Sequence, residues 1–158
     1  MTSVQKDDSP PEGFSPLIGA DMGFSALVGP HFVRLVDGVP VLGFWVGKRH
    51  LNPMGNCHGG ALAALADYQA VAVRQIAGLA ANPTPTVTLT IDFIAPVPLG
   101  AWVELHSRLL RRTRTLLFSE GHVVVDGVVA ARVDAIFKIG PPRPELAGAV
   151  PPDGMWAT

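Results

Sequence analysis

One long apolar segment constrains the fold of this chain more than any other feature. Residues 61–81 are rich in Ala, Leu and Val, and Asn82-Pro83-Thr84-Pro85 follows them. Because Pro cannot continue a helix and restricts the residue before it, we predict a single helix from about His58 or Gly59 to about Leu79. Four polar residues interrupt the segment, so a buried helix is a better interpretation than a membrane span.

Strand-like runs occupy most of the remaining chain. Residues 86–94 alternate strictly between polar and apolar, which is the period of a half-buried strand. Further strands are predicted at about 32–36, 39–46, 101–111, 115–125 and 128–139, and a weaker helix within 16–28. Asp37-Gly38 and Asp126-Gly127 each separate two Val-rich runs, which is typical of a tight hairpin turn.

This order of elements predicts an α+β domain. One helix cannot cover both faces of a sheet, so we expect an antiparallel sheet wrapped around one long central helix, with the last four strands as a meander. The length of 158 residues suggests one domain, which we place at 14–139. An acidic, Pro-containing N-terminal tail at 1–13 is expected to be disordered, and residues 140–158 form a Pro-rich C-terminal tail.

Charge and cysteine content exclude several classes of function. The net charge of −1 gives no electrostatic footprint for nucleic acid or an anionic membrane. A single cysteine, Cys57, rules out an internal disulfide and a multi-cysteine metal site. The first residues lack the order of a signal peptide, so we expect a cytoplasmic protein. With only 16% charged residues, part of the apolar surface is expected to be buried by a second subunit.

The candidate chemistry lies where the polar loop meets the helix. A helix beginning at Gly59-Gly60 offers N–H groups without internal partners, and glycines let a ligand approach them. Such an end suits an anion or a carbonyl oxygen that becomes negative. Asn52 supplies an amide nearby, and Asp67 is a lone acid within an apolar helix that can act as nucleophile or general base. Together these groups suit ester or thioester hydrolysis.

Helix geometry restricts whether Gly59 and Asp67 of one chain can act on the same substrate. Asp67 follows Gly59 by eight residues, which is about 12 Å along the axis. An oxyanion donor and a nucleophile must both lie within about 3 Å of the reacting carbonyl. If the two act together, Asp67 must therefore come from a second subunit across a two-fold axis.

The pattern Asn52-Pro-x-Gly-x-x-His58-Gly59-Gly60, followed by Asp67 in a small-residue helix, resembles the hotdog-fold acyl-CoA thioesterases, and most closely their phenylacetic-acid-degradation branch. The resemblance implies a hotdog fold and a homodimer, with a dimer of dimers as a further possibility. It also implies that the Gly59 N–H polarises the thioester carbonyl. Asn52 then orients the carbonyl or the attacking water, and Asp67 of the partner chain attacks or activates water.

The same resemblance implies that a Ser or Thr at the start of the strand after the helix assists the acid, and Thr86 is the matching residue. It implies an acyl-CoA substrate whose phosphates lie near basic residues, and we name Arg112 and Arg114 as candidates for them. Gly60, at the start of the helix, is a further candidate substrate-binding residue. No metal or redox cofactor is implied. Four residues are candidates for shaping an acyl pocket: Phe24, Trp45, Met54 and Tyr68.

Simpler interpretations remain open for the same residues. Asp67 can be a solvent-facing or salt-bridged acid, Asn52 can cap a turn, and His58 can bind backbone rather than act in catalysis. Gly59 and Gly60 can serve close packing. Cys57 lacks a third group that would activate it as a nucleophile.

His106 and His122, on neighbouring predicted strands, would need further ligands to hold a metal. Two other functions also remain: a hotdog module that binds acyl-CoA without turnover, and a hotdog hydratase or dehydratase.

Overall fold

The computed structural model describes residues 9–20 and 23–146. The strands in these ranges are β1 Ser15–Pro16, β2 Phe32–Val36, β3 Val39–Trp45, β4 Thr86–Phe93, β5 Trp102–Arg112, β6 Leu116–Val125 and β7 Val128–Lys138. The helices are α1 Gly23–Val28, α2 Gly59–Asp67 and α3 Gln69–Ile76, with 3-10 turns at Lys48–His50 and Pro144–Leu146. All pairings in the seven-stranded sheet are antiparallel. The predicted hotdog architecture, a sheet packed on a central helix, is confirmed.

The central helix consists of α2 and α3, and Tyr68 lies between them. Tyr68 keeps a right-handed helical conformation at φ −69° and ψ −1°, and its N–H is directed to the carbonyls of Leu65 and Ala66. The helix ends at Ile76, before the predicted end at Leu79. The reason is Gly78, whose φ of +67° is a left-handed conformation that commonly stops helices.

Strand order differs from the prediction in one respect. The order is β1-β2-β3-β5-β6-β7-β4, so β5, β6 and β7 form a meander, but β4 pairs with β7 at the far edge. The prediction of a four-strand meander is therefore wrong for β4. The connection from β4 to β5 crosses the sheet instead. Within this connection the Val97 carbonyl accepts a hydrogen bond, at 2.7 Å, from the N–H of Cys57, which lies in the loop before α2. Thus the crossing segment supports the loop that carries the predicted site.

The core lies between the sheet and the helices. The helices contribute side chains that are almost fully buried: Leu62, Leu65, Ala66, Ala72 and Val73. The sheet contributes a matching set: Leu42, Phe44, Val103, Leu105, Leu117, Val123, Val133 and Phe137. Small alanines in the helix allow the curved sheet to approach it closely, as the composition predicts.

Both hairpin predictions are confirmed by the backbone. Asp37 and Gly38 have φ of 51° and 76°, and Asp126 and Gly127 have φ of 48° and 78°. Two consecutive positive φ values are the geometry of the tight turn whose twist matches paired strands.

The two predicted tails, 1–13 and 140–158, fall partly beyond these ranges, since residues 1–8 and 147–158 lie outside the described part of the chain, as do residues 21–22. Within the described ranges, no helix combines the length and the apolar character needed to cross a bilayer.

Candidate functional site

Asp67 and Thr86 are in direct contact. Asp67 is the last residue of α2, and Thr86 is the first residue of β4. The Thr86 hydroxyl donates a hydrogen bond to Asp67 Oδ1 at 2.6 Å. Both residues are exposed in the single chain, and no cation among the described residues forms an ion pair with Asp67. The carboxylate is therefore oriented by one donor while its second oxygen remains open to a ligand.

The N-terminus of α2 presents one unused amide. His58 is the N-cap, and its Nδ1 accepts the Gly60 N–H at 2.8 Å. No acceptor for the Gly59 N–H is found among the described residues. A Cβ on Gly59 would lie 3.0 Å from Phe93 Cζ, so close packing and an open amide coexist at this glycine. Of the two glycine amides, the one at Gly59 is therefore available, and the one at Gly60 is occupied.

Asn52 holds the loop that precedes α2. Its Oδ1 accepts the N–H groups of Met54 at 3.0 Å and Asn56 at 3.2 Å. Its backbone N–H donates to the Asn56 carbonyl at 2.8 Å. These bonds close a tight loop, which is the turn-capping arrangement expected of Asn. The side-chain oxygen is thus engaged, and the Nδ2 amide is the donor that Asn52 can offer to a ligand.

Within one chain these groups form two separate parts. The structure brings Thr86 to Asp67, and it brings His58 to Gly60. Asp67 lies eight residues after Gly59 on the same helix, about 12 Å along its axis. A single chain therefore does not place the carboxylate and the Gly59 amide on one carbonyl.

The two predicted phosphate ligands lie near the opposite end of the helix. Arg112 Nη1 donates to the Ala77 carbonyl at 2.7 Å, which caps the C-terminus of α3. Arg114 is exposed in the turn between β5 and β6. Arg112 thus has a structural partner within its own chain.

A small cavity adjoins the carboxylate, with a volume of about 110 Å³. Its lining comes from α1, α2 and the residue between α2 and α3: Phe24, Ser25, Val28, Ala64, Asp67 and Tyr68. The Tyr68 hydroxyl donates to Ser25 Oγ at 2.7 Å. Burial raises the pKa of Tyr68, the Ser25 bond opposes this shift, and the Asp67 charge adds to it.

Phe24 and Tyr68 therefore lie where the sequence analysis expected pocket residues, whereas two other candidates do not. Trp45 Nε1 donates to the Ser9 carbonyl at 2.9 Å, and Met54 is exposed. Ser25 and Val28 were missed because glycines weaken the helical pattern around them. Val28 follows Phe24 by four residues and Ser25 by three, which is the helical spacing that could have identified a shared face.

Two buried histidines lie near the site: His50 is hydrogen-bonded to the loop, and His31 packs against Tyr68. His50 Nδ1 accepts the Gly47 N–H at 2.9 Å, its Nε2 lies 3.0 Å from the Val28 carbonyl, and its own carbonyl accepts the His58 N–H at 2.6 Å. His31 is 2% exposed and stacks near Tyr68, with ring centroids 4.8 Å apart. Burial, together with the nearby His50, lowers the pKa of His31 to about 4. Burial also lowers the pKa of His50, so both folded environments favour the neutral ring.

Other candidate groups have structural environments. Burial raises the pKa of the Cys57 thiol to about 11, which disfavours the reactive thiolate. His106 and His122 are directly opposite each other on β5 and β6, and His106 Nε2 lies 2.9 Å from Glu104 Oε2. Within the described ranges, no three His, Cys, Asp or Glu side chains come together as a metal site.

Comparisons with known proteins show what the chain is similar to. The family model described as thioesterase superfamily matches residues 54–131, which include the end of the loop after Asn52, the central helix and Thr86. A Pseudomonas aeruginosa protein named "Putative esterase PA0474" is 28% identical over 130 residues, covering 82% of this chain and 96% of that protein.

Two solved structures share the fold. A mutant of the phenylacetic acid degradation protein PaaI from Thermus thermophilus is 27% identical, with a TM-score of 0.61 over 68% of this chain and 91% of that one. Zebra fish thioesterase superfamily member 2 is 24% identical, with a TM-score of 0.68 over 77% of this chain and 90% of that one. The chain is therefore similar to the thioesterase superfamily over residues 54–131 and has the hotdog fold.

Proposed function

We propose that this protein hydrolyses acyl-CoA thioesters to a free acid and coenzyme A, at sites shared by two copies of the chain. The observation that carries the proposal is the Asp67 carboxylate, held by the Thr86 hydroxyl at 2.6 Å beside a small apolar cavity. An exposed acid oriented by a hydroxyl, without a cation to neutralise it, suits a nucleophile or general base. The match of residues 54–131 to the thioesterase superfamily model supports the same reaction class.

In the proposed cycle the thioester carbonyl accepts the Gly59 N–H of one chain. Asp67 of the other chain either attacks the carbonyl carbon or removes a proton from an attacking water. Negative charge that develops on the carbonyl oxygen is stabilised by the amide at the start of α2 and by the helix dipole. If Asp67 acts as the base, breaking the carbon–sulfur bond gives the free acid directly, and the thiolate of coenzyme A takes the proton held by Asp67. If Asp67 is the nucleophile, breaking the same bond leaves a mixed anhydride on Asp67, which water hydrolyses to the free acid, and a proton from that water goes to the thiolate. Asn52 orients the carbonyl or the water through Nδ2, while Thr86 positions the acid.

Two features support a second copy as the source of the other half-site. The first is the helix length: about 12 Å separates Gly59 from Asp67 within one chain. The second is β4, an eight-residue strand at the edge of the sheet. Val87 and Phe93 of β4 and the adjacent Ile94 are 58%, 56% and 61% exposed. A long edge strand with exposed apolar residues is a ready surface for pairing with another chain, and a two-fold dimer through this edge is part of the proposal.

The acyl group is proposed to enter the cavity next to Asp67. At about 110 Å³ it is smaller than the usual ligand pocket of about 300 Å³ or more. We therefore expect a preference for short acyl groups, or for ones whose remainder lies against the second chain. A cytoplasmic location belongs to the same proposal, since the single buried Cys57 leaves the fold independent of an oxidising compartment.

The first test is a thiol-release assay over short, long and aromatic acyl-CoAs, with Asp67→Asn as the inactive control. We expect turnover by the wild type and loss of turnover in the variant. An unchanged rate in Asp67→Asn would contradict the mechanism. Affinity for acyl-CoA without turnover would favour the binding module, and water addition to an enoyl thioester would favour the hydratase.

A complementation experiment tests the shared site directly. Gly59→Val blocks the amide, and Asp67→Asn removes the acid, so each homodimer is expected to be inactive. When the two variants are co-expressed, mixed dimers contain one complete site, and about a quarter of the wild-type activity should return. If the half-sites acted within one chain, mixing would restore nothing.

A further inference from the structure

A basic cleft lies beside the C-terminal half of the central helix, with a volume of about 600 Å³. It is lined by three cationic side chains, Arg74 of α3, Lys138 of β7 and Arg143, and by Thr84 among prolines. No Asp or Glu is present in its lining. Among the residues the structure describes, no ion pair or side-chain hydrogen bond is formed by any of these three cations.

Arg74 is the unusual member of this set. It is only 9% exposed, and burial lowers the pKa of its guanidinium. A buried charge without a partner costs several kcal/mol, so buried cations are normally paired. Among the described residues Arg74 has no carboxylate partner, and an anion in the cleft would provide one.

The walls of the basic cleft are fixed by the backbone. Residues 81–85 and 138–143 run side by side and are joined by three hydrogen bonds. Lys138 N–H donates to Pro85, Gly140 N–H donates to Pro83, and Arg143 N–H donates to Ala81, at 2.9, 2.9 and 2.6 Å. The cations are thus carried on a preformed frame, which reduces the entropy lost on binding.

The number of cations indicates the ligand chemistry. A single carboxylate needs one cation, whereas a diphosphate or phosphomonoester carries several negative oxygens that match converging Arg and Lys side chains. A volume of about 600 Å³ is within the usual range for small-molecule pockets, and the proline and alanine lining suits an apolar or planar portion. We propose that the basic cleft binds a phosphorylated small molecule through Arg74, Lys138 and Arg143.

Two sources of the phosphate are compatible with this chemistry. Arg74 follows Asp67 by seven residues, so it lies about two turns and about 10 Å along the helix. The nucleotide end of a coenzyme A thioester and a separate phosphorylated effector are therefore both within the proposal. Its test is binding rather than turnover, so its failure is distinguishable from failure of the proposed hydrolysis.

The experiment is calorimetric titration of the full chain with pyrophosphate and with coenzyme A. Lys138→Gln combined with Arg143→Gln changes only exposed side chains, and Lys48→Gln is the matched control because Lys48 is an exposed cation outside the cleft. We expect the double variant to weaken pyrophosphate binding at least about tenfold, since it removes two cations that would form charge-assisted hydrogen bonds with the phosphate oxygens. Arg74→Gln should have a similar effect, and Lys48→Gln should have none.

Competition separates the two sources. Displacement of pyrophosphate by coenzyme A assigns the cleft to the substrate's own nucleotide, and simultaneous binding assigns it to a separate ligand, so both outcomes support the site. Absence of binding, or equal weakening by Lys48→Gln, would overturn it. The proposal is also overturned if pyrophosphate binds only to a chain that ends at residue 146. In that case the last twelve residues would be the natural occupant of the cleft.

Discussion

The hydrogen bond from Thr86 to Asp67 makes a quantitative prediction possible. Thr86→Val removes the hydroxyl but keeps the branched shape that suits the start of a strand. Because Thr86 is exposed, we expect the free energy of unfolding to change by less than about 0.5 kcal/mol. Any change in the rate then reports the loss of the 2.6 Å contact rather than loss of folded protein.

The expected size follows from the chemistry of the contact. A hydrogen bond to a charged group contributes about 1.5–3 kcal/mol, and each 1.36 kcal/mol is a factor of about ten in rate. Both side chains are exposed in the single chain, so solvent screens the bond and we use the lower limit. The prediction is a fall in kcat of about tenfold, with KM nearly unchanged, because Thr86 acts through Asp67 and does not hold the substrate.

The assay is steady-state thiol release with the best acyl-CoA from the substrate panel. Thr86→Ser is the matched control, since it keeps the hydroxyl and should keep at least half of kcat. If Thr86→Val matches the wild type while Asp67→Asn is inactive, the hydroxyl does not position the acid. If Thr86→Ser and Thr86→Val lose activity equally, the effect comes from packing, and the reasoning is again refuted.

Three further predictions concern the helix start and the buried His31. Gly59→Ala places a Cβ 3.0 Å from the half-exposed Phe93 ring, which can move, so activity should fall while the melting temperature is kept or raised. His58→Ala removes the acceptor of the Gly60 N–H and should cost about 1 kcal/mol in urea unfolding, with His58→Asn restoring most of it. For His31 the folded pKa of about 4 lies below the ordinary value of 6.5, so the folded state favours the neutral ring. Stability should therefore be full above about pH 6.5 and fall by up to about 3 kcal/mol towards pH 4, a loss that His31→Phe should reduce. Equal pH profiles for the two proteins in urea titrations would contradict this assignment.

The elements of the fold could be predicted because their determinants are local. Alternation in 86–94 and Asp-Gly turns depends only on neighbouring residues, and β4 and both hairpins were located within one or two residues. The helix end was misplaced because Gly78, rather than Pro83, adopts the conformation that stops it. The predicted strand order was wrong at β4. The prediction assumed that strands adjacent in sequence pair, whereas here a crossing connection carries the chain to the other side of the sheet.

The residues of the candidate site were predicted partly from the chemistry of a helix N-terminus and partly from the resemblance to a known family. Both arguments predicted Asp67, and the resemblance alone predicted Thr86. The structure places the two side chains in contact, and their catalytic roles stay predictions. Ser25 and Val28 could not be placed beside Asp67 from the sequence, since α1 is weakly patterned and its docking depends on packing.

The sequence by itself determined the identity of the elements, the glycine-bearing start of the helix and the lone acid within it, because period, turn residues and helix caps act over a few residues. Only the tertiary structure decided that β4 lies at the edge, and that Arg74, Lys138 and Arg143 share one cleft. These residues are separated by up to 69 positions in the chain. Contacts between such distant segments are selected by packing of the whole core, which no local pattern encodes.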